Sequence, residues 1–392
     1  MRVDADVVVA GAGPVGLAQA LALQQAGLRV AVVAERWPEA WTHPAQVGLR
    51  VLALAPGPVA LLRQIGVWES VAQTRAEPVL AMDVASGPGD FDLHFLASQA
   101  GVPALAWIVE MDLLADRLAA AWRQAGGASY VDTGIAAREL TDDGVILRLD
   151  NGERLRTRLL LAADGAGSAL RQSAGIDCEQ RDYAQAGVVA TVQTAEAPAG
   201  RALQRFLPGG PLALLPLAGR SCSIVWSQPR ARAEHLAGLP TADFLAELNV
   251  AAEGWHGGVV DSGPRAAFPL RLQLARRYTD QRLALLGDAA HQVHPLAGQG
   301  LNLGLADVAV LTELLQWAHR GGIDLGDPRV LRRYEWQQRP RNWRAAHVFD
   351  LLERIHAVEQ GPLVRLRQIG MQAVDRLPAV KQWLVRQAVG RS

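Results

Sequence analysis

The sequence predicts an α/β protein with three parts. These are a doubly wound parallel-sheet domain, an inserted β-sheet domain and C-terminal helices. Three observations predict it. The chain opens on a strand–turn–helix–strand unit with glycines at fixed spacing. Two later apolar strands each run into an Asp/Gly turn, at 164–165 and at 287–288. Between those turns lie segments rich in turn residues and strand-like apolar runs.

Composition sets the outer limits. A chain of 392 residues allows two or three domains, and 50% hydrophobic residues supply a large core. Thirty-nine basic residues balance 39 acidic ones, whereas nucleic-acid-binding proteins carry a basic excess. Lys381 is the single lysine, which reflects genome composition rather than function. Cys178 and Cys222 fit neither a zinc motif nor a disulfide framework and imply a reducing compartment. The uncharged stretch from Val7 to Leu28 is long enough to mimic a membrane span. Gly11, Gly13, Pro14 and Gly16 interrupt it, and Asp4 and Asp6 stand where a signal peptide would be basic. The expectation is a cytoplasmic protein without a transmembrane helix.

The first element is the buried strand Val7–Ala10. Gly11-Ala12-Gly13-Pro14-Val15-Gly16 follows, then a helix from Leu17 to Ala26 stopped by Gly27, then a second strand from Leu28 to Ala34. In this context each glycine has a task. Gly11 makes the tight turn, Gly13 admits a pyrophosphate against the backbone, and Gly16 lets helix and strand pack closely. The helix N-terminus adds free N–H donors and a positive dipole end. Glu35 closes the second strand nineteen residues after Gly16, where an acid accepts hydrogen bonds from a ribose, and Arg36 follows it. This is a Rossmann-like dinucleotide site, and at this position FAD and NAD are both compatible with it.

The distal motifs repeat the logic. Leu159–Ala162 is a strand that ends in Asp164-Gly165. Arg282–Leu286 is another, running into Gly287-Asp288, then His291, then His294 to Gly304. A helix from Leu301 to about Trp317 follows, so a glycine-rich loop again feeds a helix N-terminus. His291 and His294 lie in a Gly/Pro loop without a third ligand type, so no metal is expected.

Together these motifs resemble those of the class A FAD-dependent aromatic monooxygenases, the para-hydroxybenzoate hydroxylase-like superfamily. Within it, the chain is similar to the ubiquinone-biosynthesis hydroxylases. The likeness is carried by GDAAHQVHPLAGQGLNLGLAD at 287–307, RVLALAPGPVALLRQIGVW at 50–68, LLPLAGRSCSIVWS at 214–227 and Phe268-Pro269-Leu270. The tail from Leu377-Pro378 to Gly390 belongs to it too, so the likeness spans nearly the whole chain.

The resemblance implies roles residue by residue. Gly11, Ala12, Gly13 and Gly16 hold the FAD pyrophosphate, and Glu35 and Arg36 the adenosine ribose. Arg50 lies near the pyrophosphate and the flavin. Asp164 and Gly165 contact FAD, and Asp288 takes its ribityl–pyrophosphate portion. Pro295, Gly298, Gln299, Gly300, Leu301 and Asn302 run beside the isoalloxazine ring, and His294 lines the substrate cavity. It further implies transient NAD(P)H, dioxygen as co-substrate, and ring hydroxylation through a flavin C4a-hydroperoxide. The substrate is a polyprenylated phenol or benzoquinol, and other ubiquinone-biosynthesis proteins are possible partners. One position departs from the pattern: Met111 stands where relatives carry an asparagine that reaches the flavin. A phenol-deprotonating base would come from His43, His94, Tyr183 or His294. Alternative readings are a class A hydroxylase of a small soluble phenol and a non-catalytic FAD-holding scaffold.

The FAD-binding domain is then expected to be discontinuous, at 1–75, 100–182 and 275–340. Residues 76–99 and 183–274 form the substrate-binding sheet, with runs at Val79–Val84, Ala186–Thr194, Leu212–Leu217 and Ser221–Trp226. Residues 341–392 form the C-terminal helical segment. Within it, 362–392 sets six basic side chains against Asp375 alone, interleaved with apolar residues. That pattern suits peripheral contact with an anionic membrane or docking on partner proteins, and equally a helix packed on the FAD domain with a solvated face.

Overall fold

The two opening strands lie side by side because they are apolar from Val7 to Ala10 and from Val30 to Ala34. In the computed structural model, which describes residues 3–42, 47–87, 89, 91–293 and 299–356 (backbone alone at 299 and 349–356), every residue of Ala5–Ala10 and Val30–Ala34 is buried. Ala5–Ala10 is central. It pairs in parallel with Val30–Ala34 on one side and with Arg154–Ala162 on the other. Leu283–Leu285 extends the sheet beyond Arg154–Ala162, and Ala128–Val131 extends it beyond Val30–Ala34. A strand hydrogen-bonded on both edges and covered on both faces reads as an unbroken hydrophobic run.

The first helix, Pro14–Gln25, is buried from Gly16 to Leu23. It packs between Gln299–Arg320 and Met111–Gln124. An almost wholly apolar helix is what such a sandwich requires. Its one buried polar side chain, Gln19, donates to Thr312 Oγ1 at 2.9 Å.

The second sheet is dominated by two 17-residue strands, Cys178–Thr194 and Val259–Ala275, paired antiparallel. Ser221–Pro229, Gly210–Pro216, Arg201–Leu207, Ala81–Ala85 and Leu93–Leu96 continue it in that order. Helices Arg230–Gly238 and Thr241–Ala252 seal one face through Ala233, Leu236, Phe244 and Leu248. The strand Cys178–Thr194 runs through position 182, where its register with Val259–Ala275 shifts between Asp182 and Ala186.

One expected run divides. The apolar stretch Val79–Val84 breaks at Leu80, whose N–H donates to Gly200 O at 2.7 Å. Ala76–Val79 pairs with Ala106–Glu110, which also pairs with Val51–Leu54, in a separate three-stranded sheet. Ala81–Ala85 joins the large sheet instead. An apolar core of Ala53, Val79, Ile108, Ala202, Leu215 and Leu217 binds the small sheet to the large one. Behind the parallel sheet, the long helix Pro328–His356 runs through position 340 without interruption. Among the described residues no helix is long and apolar enough to cross a membrane.

Candidate cofactor and substrate site

The glycine turn is as tight as its sequence requires. Gly11 has φ +108°, and a Cβ there would stand 2.3 Å from Ala163 O. A Cβ on Gly16 would stand 2.1 Å from Gly11 O. Gly13 differs. It caps the helix with extended backbone, and a Cβ there would meet no atom within 4 Å. The helix start has no side-chain cap, so no side chain satisfies its first N–H groups. Glu35 and Arg36 are exposed at the end of the second strand, and Ala12 is buried beneath the turn.

The three motifs converge at one end of the parallel sheet. Ala163 N donates to Ala10 O, which sets Asp164-Gly165 beside Gly11. Asp164 Oδ2 accepts from Leu170 N at 3.3 Å, while its Oδ1 is buried with no partner. Gly287 and Gly304 press on Val15 of the glycine turn, where added Cβ atoms would come within 3.1 and 2.7 Å of its methyls. The cradle thus has close backbone approaches, an open helix N-terminus and an orphaned buried carboxylate oxygen. Those features fit a dinucleotide pyrophosphate and its hydroxyl-bearing linkers.

Two features of this cradle escaped the sequence reading. Arg171 is 3% exposed. Its guanidinium donates to Ala289 O and Ala166 O, both at 2.9 Å, and so ties the 164–168 loop to the 287–290 loop. Nothing in its sequence neighbourhood distinguishes it from 37 other arginines. The second is a buried network. His291 was expected in a loop; it lies in a short strand, His291–Gln292, that pairs with Val259–Ala275. Its Nε2 lies 2.6 Å from Asp307 Oδ2, and both residues are fully buried. Asp307 also accepts from Gly287 N at 3.1 Å and Asn342 Nδ2 at 3.0 Å. Burial alone would lower the His291 pKa, but the Asp307 charge and hydrogen bond outweigh it and raise it.

Asp288 points the other way. Its side chain is open to solvent yet crowded by protein, as befits the floor of a cleft. Desolvation raises its pKa, opposed by the charges of His291 and Arg50. Arg50 is itself exposed, and its carbonyl accepts from Met111 N at 2.9 Å, so Arg50, Met111 and Asp288 share one region. Met111 begins the helix Met111–Gln124 and brings only a thioether where an amide was expected.

Gly300, Leu301 and Asn302 lie in the first turn of Gln299–Arg320. The Asn302 amide is engaged by protein: it donates to Ala53 O at 2.7 Å and accepts from Ala55 N at 2.9 Å. Its side chain therefore clamps the helix to the strand Val51–Leu54. His43, His294, Pro295, Gly298 and the segment 362–392 lie outside the described residues, as does the Gln299 side chain.

A cavity of about 790 Å³ opens between the small sheet and the large one. Its walls include Gly48, Arg75, Glu110, Thr191, Leu217 and Asp261. Glu110 is buried, accepts from Gly48 N at 2.8 Å and pairs with Arg75 at 2.8 Å. Burial pushes the Glu77 carboxyl on the same wall upward. The volume suits an organic ligand of drug size. Two of the base candidates stand apart from it. His94 is paired with Asp83 at 2.8 Å on the large sheet, and Tyr183 packs with Leu272 and Leu274.

Comparison with known proteins agrees with this geometry. The FAD binding domain family matches residues 4–348. The chain is 37% identical to the ubiquinone hydroxylase UbiL of Rhodospirillum rubrum, over 98% of this chain and 90% of the relative. It is 33% identical to the 3-demethoxyubiquinol 3-hydroxylase of Escherichia coli, over 98% of both. Among solved structures it is similar in fold to PqsL, a probable FAD-dependent monooxygenase from Pseudomonas aeruginosa. There the TM-score is 0.77 at 24% identity, over 94% of this chain and 99% of that one.

Proposed function

The chain belongs to the FAD binding domain family and, within it, to the ubiquinone-biosynthesis hydroxylases, and from that premise we propose that it hydroxylates the aromatic ring of a polyprenylated phenol or benzoquinol on the way to ubiquinone. It is an FAD-dependent monooxygenase that uses dioxygen and transiently bound NAD(P)H. The observations that support the substrate reading are the convergence of residues 163–164, 287 and 304 on the glycine turn and a cavity of about 790 Å³ between the small sheet and the large one.

Bound FAD would supply the activation of dioxygen. The chain supplies everything around it. Gly11, Ala12, Gly13, Gly16 and the open helix N-terminus hold the pyrophosphate. Glu35 and Arg36 take the adenosine ribose. Asp164 Oδ1 and Asp288 accept from hydroxyl groups of the linker, and Gly165 keeps the turn open. Arg50 balances the anionic cofactor. Pro295 and Gly298 to Leu301 would hold the flavin ring, since backbone N–H groups at a helix start favour negative charge. Asn302 positions that helix through Ala53 and Ala55. The cavity walls would exclude water and orient the phenol. The basic segment 362–392 serves as a contact with an anionic membrane or with other proteins of ubiquinone biosynthesis.

The test is mass spectrometry of lipid quinones in a strain lacking the gene, with oxygen uptake by the purified enzyme alongside. Loss of ubiquinone with accumulation of a prenylated precursor short of one hydroxyl supports the proposal and names the ring position. An unchanged profile, with NAD(P)H-dependent oxygen uptake stimulated by small soluble phenols, replaces it with the soluble-phenol reading. No reductant-dependent uptake with any phenol makes the chain an FAD-holding scaffold.

Met111 provides a separate prediction. Met111→Asn restores an amide at the start of its helix. One net hydrogen bond of about 0.5–1.5 kcal/mol tightens FAD binding roughly two- to tenfold. Flavin fluorescence titration of the apoprotein reads this directly. Equal affinity in the two proteins removes residue 111 from the cofactor contacts.

A further inference from the structure

Among the described residues three carboxylates line the cavity, Glu77, Glu110 and Asp261, and they are not alike. Glu110 is spent on protein: one oxygen accepts from Arg75 and the other from Gly48 N, both at 2.8 Å. Asp261 stands exposed, and its Oδ1 accepts from Ser262 N at 2.8 Å. Glu77 is half-buried, and among the described residues no hydrogen bond or ion pair engages it. Its position is specific. Residues directly opposite each other in antiparallel strands share a face. Ile108 stands opposite Ala53 on one side and Glu77 on the other, so the three form one row across the small sheet. Ala53 and Ile108 share an apolar core with Leu215 and Leu217 of the large sheet. That row therefore looks across at the large sheet, and Glu77 is its one polar member. Two strand spacings, about 10 Å, separate Glu77 from Ala53. Ala53 O accepts from Asn302, in the first turn of the helix whose start is assigned above to the flavin ring.

We propose that the Glu77 carboxylate accepts the O–H of the phenol substrate and so fixes the ring in the cavity. An unpaired carboxylate withdrawn from water is costly, and a ligand hydroxyl supplies the missing donor. A hydrogen bond to an ionised acceptor is roughly twice as strong as one between neutral groups. The same acceptor selects against a ring whose oxygen carries a methyl group, because that oxygen has no proton to donate and its methyl crowds the carboxylate. Glu110 cannot take this part, since Arg75 and Gly48 already occupy both of its oxygens. The inference rests on the phenol reading above and adds the residue that recognises the hydroxyl group.

The experiment is calorimetric titration of the FAD-loaded enzyme with 2-geranylphenol and with its methyl ether. The wild type is expected to bind the phenol about tenfold or more tightly than the ether. Glu77→Leu is expected to lose that preference while keeping at least the wild-type affinity for the ether. Glu77→Asp, which keeps the carboxylate, is expected to restore part of the preference. Circular dichroism and flavin content check that the variants are folded. An undiminished preference in Glu77→Leu overturns the assignment and leaves the phenol reading standing. So does equal binding of phenol and ether by the wild type. Loss of both ligands by folded Glu77→Leu overturns it too, because Glu77 would then only shape the wall. A wild type that binds neither ligand overturns the phenol reading itself, and the assignment with it.

Discussion

Replacing Gly16 with alanine is expected to abolish FAD retention. The new methyl would lie 2.1 Å from Gly11 O and 3.3 Å from Ala163 Cβ. The first neighbour is backbone, so no side-chain rotation relieves the contact. The helix Pro14–Gln25 must instead move off the strand Ala5–Ala10, and the free N–H groups move with it. Overpacking a core costs about 1–3 kcal/mol even where side chains can yield. A shift at the upper end of that range lowers FAD affinity about 100-fold. Flavin absorbance per protein after gel filtration measures it. Gly13→Ala is the companion variant. Its methyl meets nothing within 4 Å and its backbone is extended, so the apoprotein should melt as wild type does. Loss of FAD from that variant reports the ligand's own approach to residue 13. Full flavin content in Gly16→Ala would refute the close-packing role.

Asp307→Ala is expected to be the most destabilising single substitution in the region. It removes one acceptor from three donors at once: His291 Nε2, Gly287 N and Asn342 Nδ2. Breaking a buried ion pair by removing one partner costs about 3–5 kcal/mol, because the remaining charge is stranded. Urea denaturation of the apoprotein measures the loss. Gly287 belongs to the cradle, so FAD affinity is expected to fall as well. Asp307→Asn keeps the shape and one acceptor and should lose less of both.

The same pair makes stability depend on pH. The folded pKa of His291 lies above its unfolded value of about 6.5. The folded state therefore holds this proton more tightly than the unfolded chain does. The contribution is complete below about pH 6.5 and declines as pH rises through the raised value. The stability gap between wild type and the neutral double variant H291Q/D307N should be flat from about pH 5 to 6.5 and narrow above that. A gap that widens with rising pH would mean that His291 is buried neutral.

The parallel sheet was legible because its residues need only local information. Val7–Ala10 and Leu159–Ala162 are uninterrupted apolar runs, and Gly11, Gly13 and Gly16 fix the geometry of the turn between strand and helix. The large sheet was legible only as separate runs, since its pairings join residues far apart in the chain, as Cys178 with Ala275 and Ala81 with Arg201. The division of Val79–Val84 was not legible at all. Alternating apolar residues look the same whichever sheet accepts their hydrogen bonds, and Gly200 O made the choice at Leu80.

The candidate site divides along the same line. By itself the sequence determined where the backbone must turn tightly, where a helix start is left uncapped, and which family's motifs the chain carries, because spacing along the chain specifies each of these. Only the tertiary structure decided which polar side chains are consumed by protein. Asn302 went to Ala53 and Ala55, His291 to Asp307, and Arg171 to two carbonyls that hold the loops together. A polar group removed from water must find a partner wherever the fold brings one, and that partner's position in the chain is set by packing rather than by spacing.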